Sequence, residues 1–189
     1  PFRFIFVGEL ITLKRVDHLI KGIASLKINE FELWIVGDGP EKKKLRFLAN
    51  SLLPPDKVRW FGVVPMNQVA SIMCKVDCLV LPSRYDGWGA VVSEALMVGT
   101  PVICSHLCGS SVAVRASTVG SVFKANNQNS LISSLKKEYK RGVLNTKKRK
   151  QIAEWALCLG ANSGAEYLES ILNLKNNKTE SVDLPWNKI

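Results

Sequence analysis

The segment Asp86-Gly87-Trp88-Gly89-Ala90-Val91-Val92-Ser93-Glu94 sets two carboxylates around two glycines, in a chain whose formal net charge is +10. Glycines let a backbone approach a ligand closely, and the residues that follow open a helix whose free N–H groups and dipole favour an anion. A phosphate suits that position. Carboxylates repel phosphate, so Asp86 and Glu94 are expected to accept hydrogen bonds from hydroxyls on either side of it. Asp86 precedes the helix and Glu94 lies on its first turns, at a rise of about 1.5 Å per residue. That order fits a ligand with a sugar, a diphosphate and a ribose in line. Lys14, in ELITLKRVDHLI, stands just before a helical pattern, where its ammonium can neutralise a departing diphosphate. Singly, each has a plainer reading: Asp86 as a turn residue, Glu94 as a surface helix acid, Lys14 as a solvated cation. Their grouping is what points to a site.

To bring these positions together the chain needs a scaffold with a shared rim. Short apolar runs recur at Phe2 to Val7, Leu33 to Val36, Val58 to Phe61, Cys78 to Leu81, Pro101 to Cys104 and Gly120 to Phe123, each of strand length. Between them, Val16, Leu19, Ile20, Ile23 and Ala24 recur at helical spacing, as do Leu45, Leu48, Ala49 and Leu52. Val69, Ile72 and Met73, then Val92, Ala95 and Leu96, then Leu131, Ile132 and Leu135 give three more apolar faces. Continuous apolar strands alternating with helices predict a Rossmann-like α/β fold, a doubly wound parallel sheet with helices on both faces. Such sheets bind ligands at the carboxyl ends of their strands. There the sequence places VGEL, VGDGPE, FGVVP, LPSRYDGWG and SHLCGSS, all expected on one rim. Beyond Lys150, Ile152 to Leu159 predict a helix, Gly160 to Gly164 a break, and Ala165 to Leu174 a last helix; the tail from Lys175 to Ile189 is expected to be mobile.

With 189 residues, 47% of them hydrophobic and 22% charged, the chain can bury a full core as one domain over residues 1–174, which excludes a disordered polymer. No run of about eighteen apolar residues occurs, so a soluble or peripheral protein is expected. The chain opens at Pro1 and enters FRFIFVG at once, as a piece of a longer protein would, so its lack of a signal peptide carries no information. Five cysteines (74, 78, 104, 108 and 158) are an odd number without a small scaffold, which argues against a disulfide framework and for a reducing compartment. Cys104-Ser105-His106-Leu107-Cys108 matches no common zinc spacing, and no metal site is expected. Between Lys136 and Lys150, Lys136, Lys137, Lys140, Arg141, Lys147, Lys148, Arg149 and Lys150 stand against Glu138 alone. This stretch is either a solvated helix face or a peripheral contact with anionic lipid headgroups. Nucleic acid is not expected as a partner, because Tyr139 is the stretch's single aromatic residue.

Five segments in order, FVGEL with Lys14, IVGDGPE, VRWFGVVP, VDCLVLPSRYDGWGAVVSEALMVGTPVI and SGAEYLESIL, carry a resemblance. From about Phe4 to Leu172 the chain resembles the C-terminal, nucleotide-sugar-binding half of a retaining GT-B glycosyltransferase of glycosyltransferase family 4. The resemblance implies glycosyl transfer from a nucleoside-diphosphate sugar to an acceptor hydroxyl, in surface polysaccharide or glycolipid synthesis on the cytoplasmic side of the cell membrane. It also implies an N-terminal acceptor domain that is not in this chain, with no cofactor and no metal required. Glu94 matches the family glutamate that binds the ribose hydroxyls, and Lys14 the diphosphate-binding lysine. Asp86 stands where the family has a second glutamate facing the donor sugar, one methylene shorter. Gly87, Trp88, Gly89, Ala90 and Val91 match the loop holding the donor sugar and phosphates. Val63, Val64 and Met66 match the segment contacting the base, with Ser83 beside it.

The main departure is Glu9, in place of an arginine that partners the lysine. Glu9 is expected to turn away, with Arg15 or Arg84 as the compensating cation. The loop at Cys108-Gly109-Ser110-Ser111 lacks the family's second glycine and glutamate, which leaves its role open. Two rivals stay beside this reading: a non-catalytic sugar-nucleotide module, and a glycosidase using Asp86 and Glu94 as acid and base.

Overall fold

Apolar side chains on both sides of a strand can be buried only if both faces of its sheet are covered, and the six apolar runs are resolved in that way. They form β1 (Phe2–Val7), β2 (Phe31–Val36), β3 (Val58–Gly62), β4 (Cys78–Leu81), β5 (Val102–Ser105) and β6 (Ser121–Phe123). The computed structural model describes residues 1–173 and 182–187. In it the six strands make one sheet in the order β3-β2-β1-β4-β5-β6, with every neighbouring pair parallel. All four residues of β4 and of β5 are buried, as are Phe4, Ile5 and Phe6 of β1.

Among the described residues eight helices connect and cover the strands: α1 (Val16–Ser25), α2 (Lys42–Leu52), α3 (Met66–Met73), α4 (Ala90–Met97), α5 (Ser111–Ala116), α6 (Gln128–Arg141), α7 (Thr146–Trp155) and α8 (Ala161–Asn173). Right-handed crossovers put α1 and α2 on one face and α3 to α5 on the other. Accordingly α1 packs against α2 and α6, and α4 against α3 and α7. Leu19, Ile20 and Ile23 of α1 meet Leu131 and Leu135 of α6 in the same core that takes Val92, Ala95 and Leu96 of α4. No described helix is long and apolar enough to cross a membrane.

The structure departs from the sequence pattern in several places, among them the helix expected over Ile152 to Leu159, which begins at Thr146 and passes into a 3-10 turn over Ala156–Leu159. β2 starts earlier than the apolar run, at Phe31, and takes in Glu32, whose carboxylate accepts from Trp34 Nε1 at 2.7 Å and lies 3.3 Å from Arg59. β5 starts at Val102 because Pro101 has no N–H to give the ladder; Pro101 contributes its carbonyl, to Leu79 N at 2.9 Å. α5, SVAVRA, is too short for its periodicity to be read. The break predicted over Gly160 to Gly164 is confined to Gly160, and α8 begins at Ala161 with Gly164 N bonded to Gly160 O. The tail from Lys175 lies partly outside the described residues. Its described segment, 182–187, includes a 3-10 turn at Pro185–Asn187 and sets the Trp186 ring 6.2 Å from that of Trp88.

At the amino ends of β1 and β4, Asp77 ties three elements together. It is 5% exposed, accepts from the Arg3 backbone N–H at 2.8 Å and pairs with Arg149 of α7 at 3.1 Å. Arg149 also donates to the carbonyls of Cys74 and Val76. Removing Asp77 leaves half-buried Arg149 without its counter-charge and the Arg3 N–H without its acceptor, at a cost of about 3 kcal/mol. Asp77→Ala is therefore expected to lower unfolding stability by about that amount in a denaturant titration.

Candidate functional site

The strand order reverses between β1 and β4, and the crevice at such a reversal is where an open parallel sheet binds its ligand. The loops leaving these two strands carry Lys14 and Asp86. After β1 the chain makes a 3-10 turn over Thr12–Lys14, closed by Lys14 N to Ile11 O at 3.0 Å and ended by Arg15 in the left-handed region (φ 52°). The loop after β4 is fastened to this turn by Arg84 N to Leu13 O at 2.9 Å. Lys14 Nζ then reaches Asp86 Oδ2 at 2.5 Å, an ion pair whose side chains are 22% and 13% exposed.

Next to this pair α4 begins. Its cap is Gly89, in the left-handed region (φ 76°, ψ 61°), where an L side chain would be strained and a Cβ would come within 3.0 Å of Leu81. Ala90 and Val91 are the first helical residues, so their N–H groups have no partner within the helix, and both residues line the crevice mouth. A cavity of about 310 Å³ lies here. Lys14, Asp86 and Glu94 supply its charge, Gly8 and the Gly89–Val91 backbone its close walls, and Val64, Met66 and Val69 an apolar side. Cation, helix terminus and two carboxylates thus surround one space large enough for part of a diphosphate-bearing ligand.

Of the remaining residues expected at the site, Val63 is exposed and Trp88 is partly so; both stand outside the cavity wall. Trp88 Nε1 donates to Ser93 Oγ at 3.1 Å. Ser83 is fully buried, with its hydroxyl lacking a hydrogen-bond partner. Glu9 is exposed and does not line the cavity. Arg15 and Arg84 both line a separate hollow of about 210 Å³, with Asp17 and Glu41. Their guanidinium groups converge on Asn126 Oδ1, at 3.2 and 3.3 Å, and Arg15 also pairs with Asp17 at 3.1 Å. Burial and the Arg15 charge hold His18, in contact with Arg15, below its ordinary pKa. Among the described residues, Lys14 is the one cationic side chain on the wall of the larger cavity.

The loop after β5 is the part of the site that sequence reasoning left open. Cys108 forms a parallel bridge with Asp86, Asp86 N donates to Leu107 O at 3.2 Å, Gly109 N to Asp86 O at 3.0 Å, and Ser110 N to Trp88 O at 2.9 Å. The loop is a rail under the Asp86–Gly89 turn. Gly109 is the signal that could have identified it: a Cβ there would lie 2.1 Å from the Gly87 carbonyl oxygen. In the Cys104-x-His106-x-Cys108 segment, His106 Nδ1 accepts from Ala125 N at 2.9 Å and both thiols are buried. The hydrogen bond that Cys104 donates to Cys108, together with burial, pushes the Cys104 thiol up. All five cysteines are free, and among the described residues no three metal-ligating side chains converge.

Gly87 is the counterpart of Gly109, since among the described residues no atom beyond its two chain neighbours lies within 4 Å of where its Cβ would be. Gly109→Ala is expected to destabilise the fold by about 2 kcal/mol through overpacking, and Gly87→Ala to leave thermal unfolding unchanged, a contrast that differential scanning calorimetry of the two variants reads directly.

The family "Glycosyl transferases group 1" matches residues 1–156. Over 128 residues the chain is 33% identical to "Uncharacterized glycosyltransferase MJ1178" of Methanocaldococcus jannaschii, covering 67% of this chain and 35% of that protein. Among solved structures it superposes on WaaG, a glycosyltransferase involved in lipopolysaccharide biosynthesis, with a TM-score of 0.71 at 25% identity over 82% of this chain and 42% of that one. The fold is also that of Anabaena Alr3699/HepE in complex with UDP and glucose, with a TM-score of 0.71 at 21% identity over 89% of this chain and 48% of that one. The chain therefore spans between a third and a half of the length of these proteins.

Proposed function

Because the chain belongs to the glycosyl transferases group 1 family, which accounts for residues 1–156, we propose that it is the C-terminal, donor-binding half of a retaining GT-B enzyme of glycosyltransferase family 4. The whole enzyme would move a hexose from a nucleoside-diphosphate sugar to an acceptor hydroxyl. The observation that carries this reading is the meeting of Lys14, Asp86 and Glu94 around the start of α4 in one cavity.

On this reading the diphosphate enters between Lys14 and the N–H groups of Ala90 and Val91, and the ammonium exchanges Asp86 for phosphate oxygens. Asp86, released, accepts hydrogen bonds from the donor sugar, and Glu94 from the ribose, while Val64 and Met66 cover the base. When the bond from the anomeric carbon to the diphosphate breaks, its electron pair stays on the phosphate oxygen. The negative charge growing there faces Lys14 and the helix terminus, which hold it more strongly in the transition state than in the bound donor. The acceptor oxygen forms its bond on the face the diphosphate leaves and gives its proton to the departing phosphate oxygen, so configuration is retained. Fixed positive groups take the place of a divalent ion, and the reading needs no metal.

The acceptor surface belongs to an N-terminal domain, so this chain binds donor and transfers sugar poorly. Surface polysaccharide or glycolipid synthesis on the cytoplasmic side is the favoured setting, in line with the lipopolysaccharide role of WaaG. One observation favours a second reading, a module that binds sugar nucleotide without transferring it: among the described residues the cavity has a single cationic side chain, with Glu9 at the position of the family's arginine.

Calorimetric titration with UDP, GDP and ADP tests the donor site. One nucleotide is expected to bind, and Glu94→Ala to weaken it by about 1 to 3 kcal/mol, the range for losing a charged hydrogen-bond partner. Lys14→Ala is expected to weaken the diphosphate more than the matching nucleoside. Nucleotide affinity indifferent to both changes would overturn the assignment.

A further inference from the structure

The fold sorts the basic residues of α6 and α7 into two groups. Arg141 pairs with buried Glu138, Arg149 with Asp77, and Lys150 with Glu154. Lys136, Lys137, Lys140, Lys147 and Lys148 are exposed and have no acidic partner among the described residues. Glu138, the stretch's acid, is 1% exposed, accepts from Ser121 Oγ at 2.8 Å and is neutralised by Arg141, so it does not offset their field at the surface.

Two adjoining hollows lie beside these cations, along the outer edge of the sheet at β6. The first, of about 500 Å³, has Arg115 at the end of α5 and Lys137 of α6 as its cations and the hydroxyls of Ser121, Ser130, Ser133 and Ser134 on its wall. Arg115 is exposed and has no acidic partner among the described residues; its Nη1 donates to Ser111 Oγ at 3.4 Å. The second hollow, of about 420 Å³, shares Thr118 with the first but is walled by Val119, Leu144, Ile152 and Trp155, with Arg141 and Lys148 beside them. Between the helices, Val143 is 66% exposed. Ser130, Ser134, Lys137 and Arg141 recur at helical spacing on one face of α6, so a single surface presents both hollows.

We propose that this edge docks the chain on an anionic phospholipid membrane, with headgroup phosphates over the Arg115–Lys137 hollow and Val143 entering the interface beside the apolar one. Hydroxyls with unpaired cations suit phosphate, and an adjoining apolar hollow with an exposed valine suits the region just beneath it. Nucleic acid fits less well: the Tyr139 ring packs on Phe2 at 5.7 Å between centroids, and Trp155 is half-buried in the wall of the apolar hollow. The surface lies beyond β4 and β5 from the donor cavity, so this inference stands apart from the donor-site reading.

Co-sedimentation with vesicles tests it. The chain is expected to bind vesicles of equimolar phosphatidylcholine and phosphatidylglycerol, not phosphatidylcholine alone, and to release them at about 1 M salt, where the screening length falls to about 3 Å. The triple change Lys137→Glu, Lys140→Glu, Lys148→Glu should lower the partition coefficient about a hundredfold or more, each cation contributing about 1 kcal/mol. Val143→Asp should lower it further, and nucleoside-diphosphate binding by the triple variant should be unchanged. Equal charge reversal at Lys27, Lys43 and Lys75 should leave most vesicle binding intact. Equal loss from that control, binding to uncharged vesicles, or retention of inorganic phosphate or single-stranded RNA without vesicle binding would overturn the proposal.

Discussion

Strands β1 and β4 lie side by side in parallel, and the rest of the molecule follows from that pairing. Each is buried on both faces, so neither can sit at an edge, and the chain reaches from one to the other only by laying β2 and β3 out to one side before crossing back. The loops leaving the two strands must then diverge, one toward each wing of the sheet. The space between them is the crevice. Lys14 and Asp86 are neighbours because the sheet makes them so, across 72 positions of sequence.

Within the crevice the charges stand in a resting arrangement. The ammonium of Lys14 leans on Asp86, and Ala90 and Val91 at the start of α4 line the same space. On the proposed donor-site reading, an incoming dianion would offer the lysine more than one carboxylate, the helix terminus would hold its other side, and the carboxylate left behind would be free for hydroxyls. The rail made by Leu107–Ser110 holds the turn that carries Asp86, since it is bonded to both sides of Asp86 and to Trp88. Stability and ligand space are thus divided between two glycines of different kind. Gly109 is closed in by backbone, and Gly87 faces emptiness.

The same sorting of roles appears among the basic residues. Arg149, in the middle of a cationic run, is part of the fold's interior wiring through Asp77 and two carbonyls, whereas Lys137 and Lys148, close to it in sequence, face outward. A net charge of +10 therefore says little about where a field is felt.

The sequence alone was enough for the layer architecture, because apolar runs of strand length leave few ways to be buried, and enough to place Lys14, Asp86 and Glu94 on one rim. Local composition also set the start of α4, since Gly89 can hold a conformation that other residues resist. Pattern could not reach what depends on packing between distant segments. The six residues of α5 carry too little periodicity to read, and the Gly109 rail exists only against the Gly87 carbonyl. Likewise, Arg15 stands beside Lys14 in the chain and Arg84 close to Asp86, yet the left-handed turn at Arg15 and the pull of Asn126 carry both into another hollow. Residue type and spacing limit what a side chain can do; tertiary contacts, which follow from burying the sheet on both faces, decide which of those possibilities it faces.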